Sequence, residues 1–262
     1  MVGRKDYFER KDEKMQRYED LASKAAIKGE ELSNKAYNKM HSIPLGQPIL
    51  IGHYSEKQDR KFRDSIDNDL DKMSKENSKS QYYEEKLNAM KNNKAISSDN
   101  PDAIKLLEEK ISKLKEKQKT LKEMNKYYKK NKTMKGFKGI TEEQAEKIDE
   151  NLKNNSWLGG KPAPSYELTN LNQQIKNAEN RIMQLKEIDE MQDEIFDFDL
   201  GYIHSNQETN RIEIYFDEKP NEEIRNELKM YGFKWSPNAK AWQRLRNKNS
   251  LRIAKRIFNI ED

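Results

Sequence analysis

The sequence predicts a mainly α-helical protein of long antiparallel hairpins and coiled coil, closed by a small α+β domain at its C-terminal end. Three observations predict it. Apolar residues recur at threes, fours and sevens through most of the first 195 positions, the spacing of one helix face. From Phe196 the pattern changes to alternation, the period of a strand. Finally, only 33% of the 262 residues are hydrophobic while 37% are charged, so the helices bury narrow stripes and leave much surface. The expected organisation is a helical hairpin over 1–95 with a hinge at 42–54, coiled-coil helices over 96–195 with a linker at 131–166, and a basic α+β module over 196–262.

Taken in order, Phe8, Met15, Ala22, Ala25, Leu32 and Ala36 predict one helix from about Lys5 to Met40, its thin alanine-rich stripe suited to close packing. Pro44 ends it, because the residue before a proline is pushed out of the helical region. Ser55-Glu-Lys-Gln58 has the form of a capping box, and Phe62, Ile66, Leu70, Met73, Tyr83, Leu87 and Met90 carry a second helix to about Lys94. The apolar run Ile49-Leu-Ile51 then reads as a plug for the end of the hairpin. After the break at Ile96–Pro101, Ile104, Leu107, Ile111, Leu114, Gln118, Leu121, Asn125 and Tyr128 form a heptad seam over 102–130, with Gln118 and Asn125 as polar register positions. Lys132–Gly139 reads as a basic, flexible connection. Thr141-Glu-Glu-Gln144 is a second capping box, opening a short helix to about Asn151.

Trp157-Leu-Gly-Gly-Lys-Pro-Ala-Pro164 reads as a turn-rich linker. Leu168, Leu171, Ile175, Ala178, Ile182 and Leu185 place the next helix over about 167–195. The two heptad helices pair most simply within the chain, with a homodimer through the same seam as the alternative. Gly201–His204 and Arg211–Phe216 read as a hairpin, Pro220 opens a helix, and Gly232 caps it. Phe233–Trp235 and Lys240–Leu245 form a second hairpin, and a helix over 248–258 closes the chain.

Composition also bounds function. There are no cysteines, which excludes disulfides, thiolate nucleophiles and Cys-ligated zinc, and three histidines do not make a histidine-rich metal site. No metal and no cofactor is expected. No stretch has the length of an apolar membrane span, so a soluble cytoplasmic protein with no membrane partner is expected. A net charge of +5 is neither that of a polycation nor that of a DNA mimic, so nucleic-acid affinity would have to come from local clustering.

Two clusters carry the candidate chemistry. In the hinge, Gly46, Gln47 and Gly52 precede His53 and Ser55, and Lys57, Arg60 and Arg63 follow in the first turns of the second helix. Free N–H groups and a positive dipole end make this a candidate cradle for phosphate or carboxylate; the bland alternative is a capped helix start. An enzymatic reading would join His53, Ser55 and Glu56, but neighbours in sequence seldom reach catalytic geometry. At the other end, ten Lys or Arg lie between Arg225 and Arg256 against one acid, Glu227. Lys234, Trp235, Lys240, Trp242, Arg244, Arg246, Lys248, Arg252 and Lys255 form a candidate nucleic-acid surface, with the tryptophans alternatively serving as core of a small domain.

The run Ile43-Pro-Leu-Gly-Gln-Pro-Ile-Leu-Ile-Gly-His-Tyr-Ser-Glu56 with Arg60 and Arg63 resembles the signature of the Domain of Unknown Function 3560 family. The stretches Arg211–Pro220 and Gly232-Phe-Lys-Trp-Ser-Pro-Asn-Ala-Lys-Ala-Trp-Gln243 resemble the C-terminal module that family often carries. Tyr54 stands where the family usually has a second histidine. The resemblance implies a protein of mobile genetic elements such as phages and conjugative plasmids, and implies no established activity. The expectation is a non-enzymatic protein bound to DNA or RNA. The alternative is an anti-CRISPR or anti-restriction type of inhibitor that docks on a host nuclease or RNA-guided effector; a His53/Glu56-dependent enzyme comes third.

Overall fold

A computed structural model describes residues 3–154 and 160–260. Among them are seven helices and five strands: α1 (Tyr7–His41), α2 (Glu56–Lys91), α3 (Ala103–Asn131), α4 (Glu142–Asn154), α5 (Ser165–Glu190), β1 (Glu194–Phe198), β2 (Gly201–Asn206), β3 (Arg211–Phe216), α6 (Glu222–Met230), β4 (Lys234–Ser236), β5 (Ala241–Leu245) and α7 (Lys248–Ile257). The chain is mainly α with a small α+β C-terminal part. Its internal contacts divide it into two compact units, one of Phe8–Ala95 and one of Met1–Tyr7 with Ile96–Asp262. None of the described helices is long and apolar enough to cross a membrane.

In the first unit α1 and α2 run antiparallel. Ala22, Ala25, Gly29 and Ala36 are buried on α1, and Ile66, Asp69, Ser80 and Leu87 on α2. With so little apolar surface to bury, polar contacts supplement the seam. The Ser80 hydroxyl donates to the Ala22 carbonyl at 3.0 Å, and buried Asp69 accepts from Lys39 at 2.6 Å and Lys35 at 3.3 Å. Lys39 and Lys35 together hold the Asp69 carboxyl below its ordinary range. Tyr18 and Tyr83 stack with centroids 6.1 Å apart.

In the second unit α3 and α5 pair antiparallel through the expected stripes. Ala103, Leu107 and Ile111 meet Ile175, Ala178, Ile182, Leu185 and Ile188 in one apolar cluster. The two polar seam positions take different roles. Gln118 donates to Asn172 across the helix pair at 2.5 Å, whereas Asn125 exchanges two hydrogen bonds with the backbone of Ala163, pinning the chain just before α5. The connection at 132–139, expected to be flexible, is instead anchored. Met134 is fully buried, its N–H and the Thr133 hydroxyl both donate to Asp149, and Tyr127 donates to the Lys135 carbonyl. Trp157, Leu158 and Gly159 of the predicted linker lie outside the described residues.

The helix expected to reach Ile195 ends at Glu190, and Glu194 and Ile195 already belong to β1. The sheet is antiparallel throughout, in the order β1-β2-β3-β5-β4. Cross-strand rows place Phe196, Ile203, Ile214, Trp242 and Trp235 on one face. There Ile203, Ile212, Ile214 and Trp242 form a core with Leu228, Phe233 and Ala254. Asn221 caps α6 by accepting from the Ile224 N–H, and Asn247 does the same for α7 through Ser250. At the far end of α6, Gly232 takes φ +78° and the Phe233 N–H reaches back to the Leu228 carbonyl. This is a Schellman turn whose accompanying apolar contact is buried Phe233 on buried Leu228.

Arg246 joins the helix pair to the sheet. It is almost fully buried and stands just past β5, where its guanidinium donates to Ser205 Oγ of β2 and to the carbonyls of Ile188, Met191 and Gln192 at 2.7–3.1 Å. Those carbonyls lie at and just past the α5 C-terminus, where a cation also complements the helix dipole. Burial lowers the pKa of Arg246, opposed by the charges of Asp193 and Asp189. Arg246→Ala removes four hydrogen bonds from a buried charged donor and is expected to cost about 3 kcal/mol or more in a urea melt, since hydrogen bonds to a charged group contribute roughly 1.5–3 kcal/mol. A change below about 1 kcal/mol would refute this role for the guanidinium.

Candidate functional site

The hinge was expected to offer open N–H groups and cations to an anion. Its sequence contains that anion already. Glu56 turns its carboxylate back over the loop, where Oε2 accepts the Gly52 N–H at 2.7 Å and Oε1 accepts from Arg60 at 2.8 Å. The Gly52 N–H and then Arg60 hold the Glu56 carboxyl below its ordinary range. Arg63 is likewise engaged, donating to Asp59 and to the Gln47 carbonyl at 2.9 Å. Of the predicted cradle, Lys57 remains exposed at the first turn.

The capping box predicted at Ser55 does not form. Ser55 has helical φ and ψ and no side-chain cap bond; its hydroxyl shares a 2.7 Å hydrogen bond with His53 Nδ1 instead. By contrast, the box at Thr141 and Gln144 closes in both directions. Gly46 and Gly52 are required for their positive φ of +78° and +81°, not for a close backbone approach, because nothing lies within 4 Å of where a Cβ would stand. His53, Ser55 and Glu56 do come together locally, but the Glu56 oxygens face Gly52 and Arg60 rather than His53. Among the described residues no group of His, Asp and Glu converges as a metal site.

Nor does the apolar run plug the hairpin. Leu45, Ile51 and Tyr54 are 84 to 106% exposed and Leu50 is half exposed, so the hinge presents apolar side chains to solvent. Sequence reasoning took the hydrophobicity of Ile49, Leu50 and Ile51 as a sign of burial.

The C-terminal cluster divides by location. Arg246 is removed from it by burial, as described. Trp242 is core, 6% exposed on an inner strand, while Trp235 on the edge strand β4 is 50% exposed. Lys234, Lys240, Lys248 and Arg252 are exposed, with Lys240 at φ +50° in the β4–β5 turn and Arg252 donating to Asn249. Arg244 is half-buried and donates to the Tyr231 carbonyl at 2.7 Å. The Lys255 ammonium lies 4.4 Å from the Phe196 ring centroid, and Arg256, outside the predicted set, stacks 4.9 Å over Tyr231. Among the described residues no carboxylate forms an ion pair with Lys234, Lys240, Arg244, Lys248, Arg252 or Arg256.

Residues 6–129 match the model of the family described as Domain of unknown function (DUF3560). Over those residues the chain resembles that family. The matched segment contains α1, the hinge, α2 and nearly all of α3, and it stops well before the sheet. No curated protein and no solved structure matches the chain.

Two outcomes test the hinge. Because the folded pKa of Glu56 lies below its unfolded value, the contribution of its contacts is present above the unfolded value and is lost as pH falls through the lower folded one. A carboxyl titration by NMR should place the Glu56 midpoint below the ordinary glutamate value of 4.5, and Arg60→Ala should bring it closer to that value. The second outcome separates an exposed tip from a plug. Leu50→Asp combined with Ile51→Asp should change Tm by less than about 3 °C, as for surface substitutions, whereas a plug would lose far more.

Proposed function

We propose that this protein binds nucleic acid through the basic surface of its C-terminal sheet module. One observation carries the reading: among the described residues no carboxylate forms an ion pair with Lys234, Lys240, Arg244, Lys248, Arg252 or Arg256, whereas several cations of the helical regions are so paired. Lys28 pairs with Glu76, Lys39 with Asp69, Lys115 with Glu179, Lys117 with Glu167 and Lys147 with Glu143. The C-terminal module carries a local excess of positive charge, ten Lys or Arg against one acid between Arg225 and Arg256. Lys234, Arg244, Lys248, Arg252 and Arg256, spread over β4, β5 and α7 without a carboxylate partner among the described residues, suit a polyanion, whose phosphates release counterions when neutralised. Partly exposed Trp235 adds a ring of the kind that such surfaces offer to bases.

A second reading is favoured by the exposed hinge. Leu45, Leu50, Ile51 and Tyr54 form an apolar tip suited to an apolar pocket on another protein. In the mobile-element setting that the family resemblance implies, a host nuclease or RNA-guided effector is the partner to test. The two readings use different parts of the chain and are compatible.

The test of the first is binding of the full chain to labelled single- and double-stranded DNA and RNA over a salt series. The expected result is a steep log–log dependence whose slope falls by about 0.7–0.9 for each phosphate contact removed, measured with Lys248→Glu combined with Arg252→Glu. Weak binding that this variant leaves unchanged would overturn the reading.

A further inference from the structure

Resting on the nucleic-acid reading above, we propose that the surface around Trp235 holds an unpaired base and its adjoining phosphate, so that the module binds single strands in preference to duplex. Trp235 sits opposite Trp242 in the β4–β5 pair, with ring centroids 6.1 Å apart and planes inclined by 59°. The inner indole is core and supports the outer one, which keeps half its surface in solvent because no strand lies beyond β4. A supported, half-open indole is a stacking platform of low conformational freedom.

Beside it two guanidiniums from different elements converge on one tyrosine. Phe233, just before β4, stands two positions from Trp235, the spacing of one sheet face. The Arg244 guanidinium lies 6.0 Å from the Phe233 ring centroid and donates one N–H to the Tyr231 carbonyl. Arg256 of α7 covers the Tyr231 ring at 4.9 Å. Ring contact fixes each guanidinium without consuming its donors as a carboxylate would, leaving N–H groups for a phosphate oxygen. The C-terminal turn of α6 sets this arrangement, since it places Tyr231 and Phe233 on either side of Gly232.

Phosphates alone would serve duplex and single strand alike. The indole makes the difference, because a base inside a duplex has both ring faces covered by its neighbours. Stack and phosphate are shared by DNA and RNA, so both are needed as probes.

The experiment compares binding of the full chain to single-stranded DNA, single-stranded RNA and the corresponding duplexes, for wild type, Trp235→Ala and Trp235→Phe. Loss of one base stack should weaken single-strand binding about tenfold in Trp235→Ala, with duplex affinity and salt slope nearly unchanged, and Trp235→Phe should recover most of the loss. Circular dichroism melts of each variant separate loss of the stack from loss of the fold. Equal weakening on single strand and duplex in a folded variant, or no weakening on either single strand, overturns the proposal. If wild type binds duplex as tightly as single strand with a steep salt slope, the charge reading stands and this inference falls. If it binds none of the four probes, both fall.

Discussion

The second unit depends on one buried guanidinium. Arg246 reaches from the end of β5 to the last carbonyls of α5 and to Ser205 of β2, so one side chain fixes where the helix pair stops and the sheet begins. A second clamp acts nearby. Arg211 forks onto Asp99 with two 2.7 Å hydrogen bonds, and Asn210 donates to Asp99 and to the Ser98 carbonyl, fastening the β2–β3 turn to the segment before α3. Both ends of the α3–α5 pair relevant to the sheet are therefore held by charged or amide groups rather than by apolar packing. Such contacts are directional and tolerate little displacement. The basic surface that follows β5 inherits its placement from them.

That surface matters because Lys234, Lys240, Arg244, Lys248, Arg252 and Arg256 form no ion pair with a carboxylate among the described residues. Along the helices, some lysines and glutamates find each other across the pairs and along the turns, and such exposed pairs contribute little stability. In the hinge the same economy extends to Glu56, which occupies the site its own loop would offer an external anion. In the C-terminal module positive charge is left facing solvent at Lys234, Lys240, Lys248 and Arg252.

Much of the architecture could be read from periodicity. The long helices, the antiparallel heptad seam, both hairpins of the tail and the Gly232 cap all follow from residue spacing and type. The failures have physical causes. Ile188, Met191 and Ile195 keep a spacing of three and four past the end of α5, which hides the start of β1. Ser55 and Thr141 head identical capping patterns, yet His53 offers the Ser55 hydroxyl a nearer partner and Glu56 takes the Gly52 N–H, so one box closes and the other does not. Trp235 and Trp242 share a face and a row; what separates their burial is that one lies on the edge strand, a fact of topology rather than of composition. Arg246 looks like its solvated neighbours in a basic run, and its acceptors come from α5 and β2, more than forty positions away in sequence.

The length of the α1–α2 hairpin has its own consequence. At 1.5 Å per residue, the 35 residues of α1 extend about 50 Å. The Debye length at physiological salt is about 8 Å. Protonation, ion binding or a charge substitution at the hinge is thus electrostatically invisible at the far end of the same hairpin. Any influence that passes along it must be mechanical, carried by helices whose thin alanine seam and buried Asp69 set how stiffly they hold together.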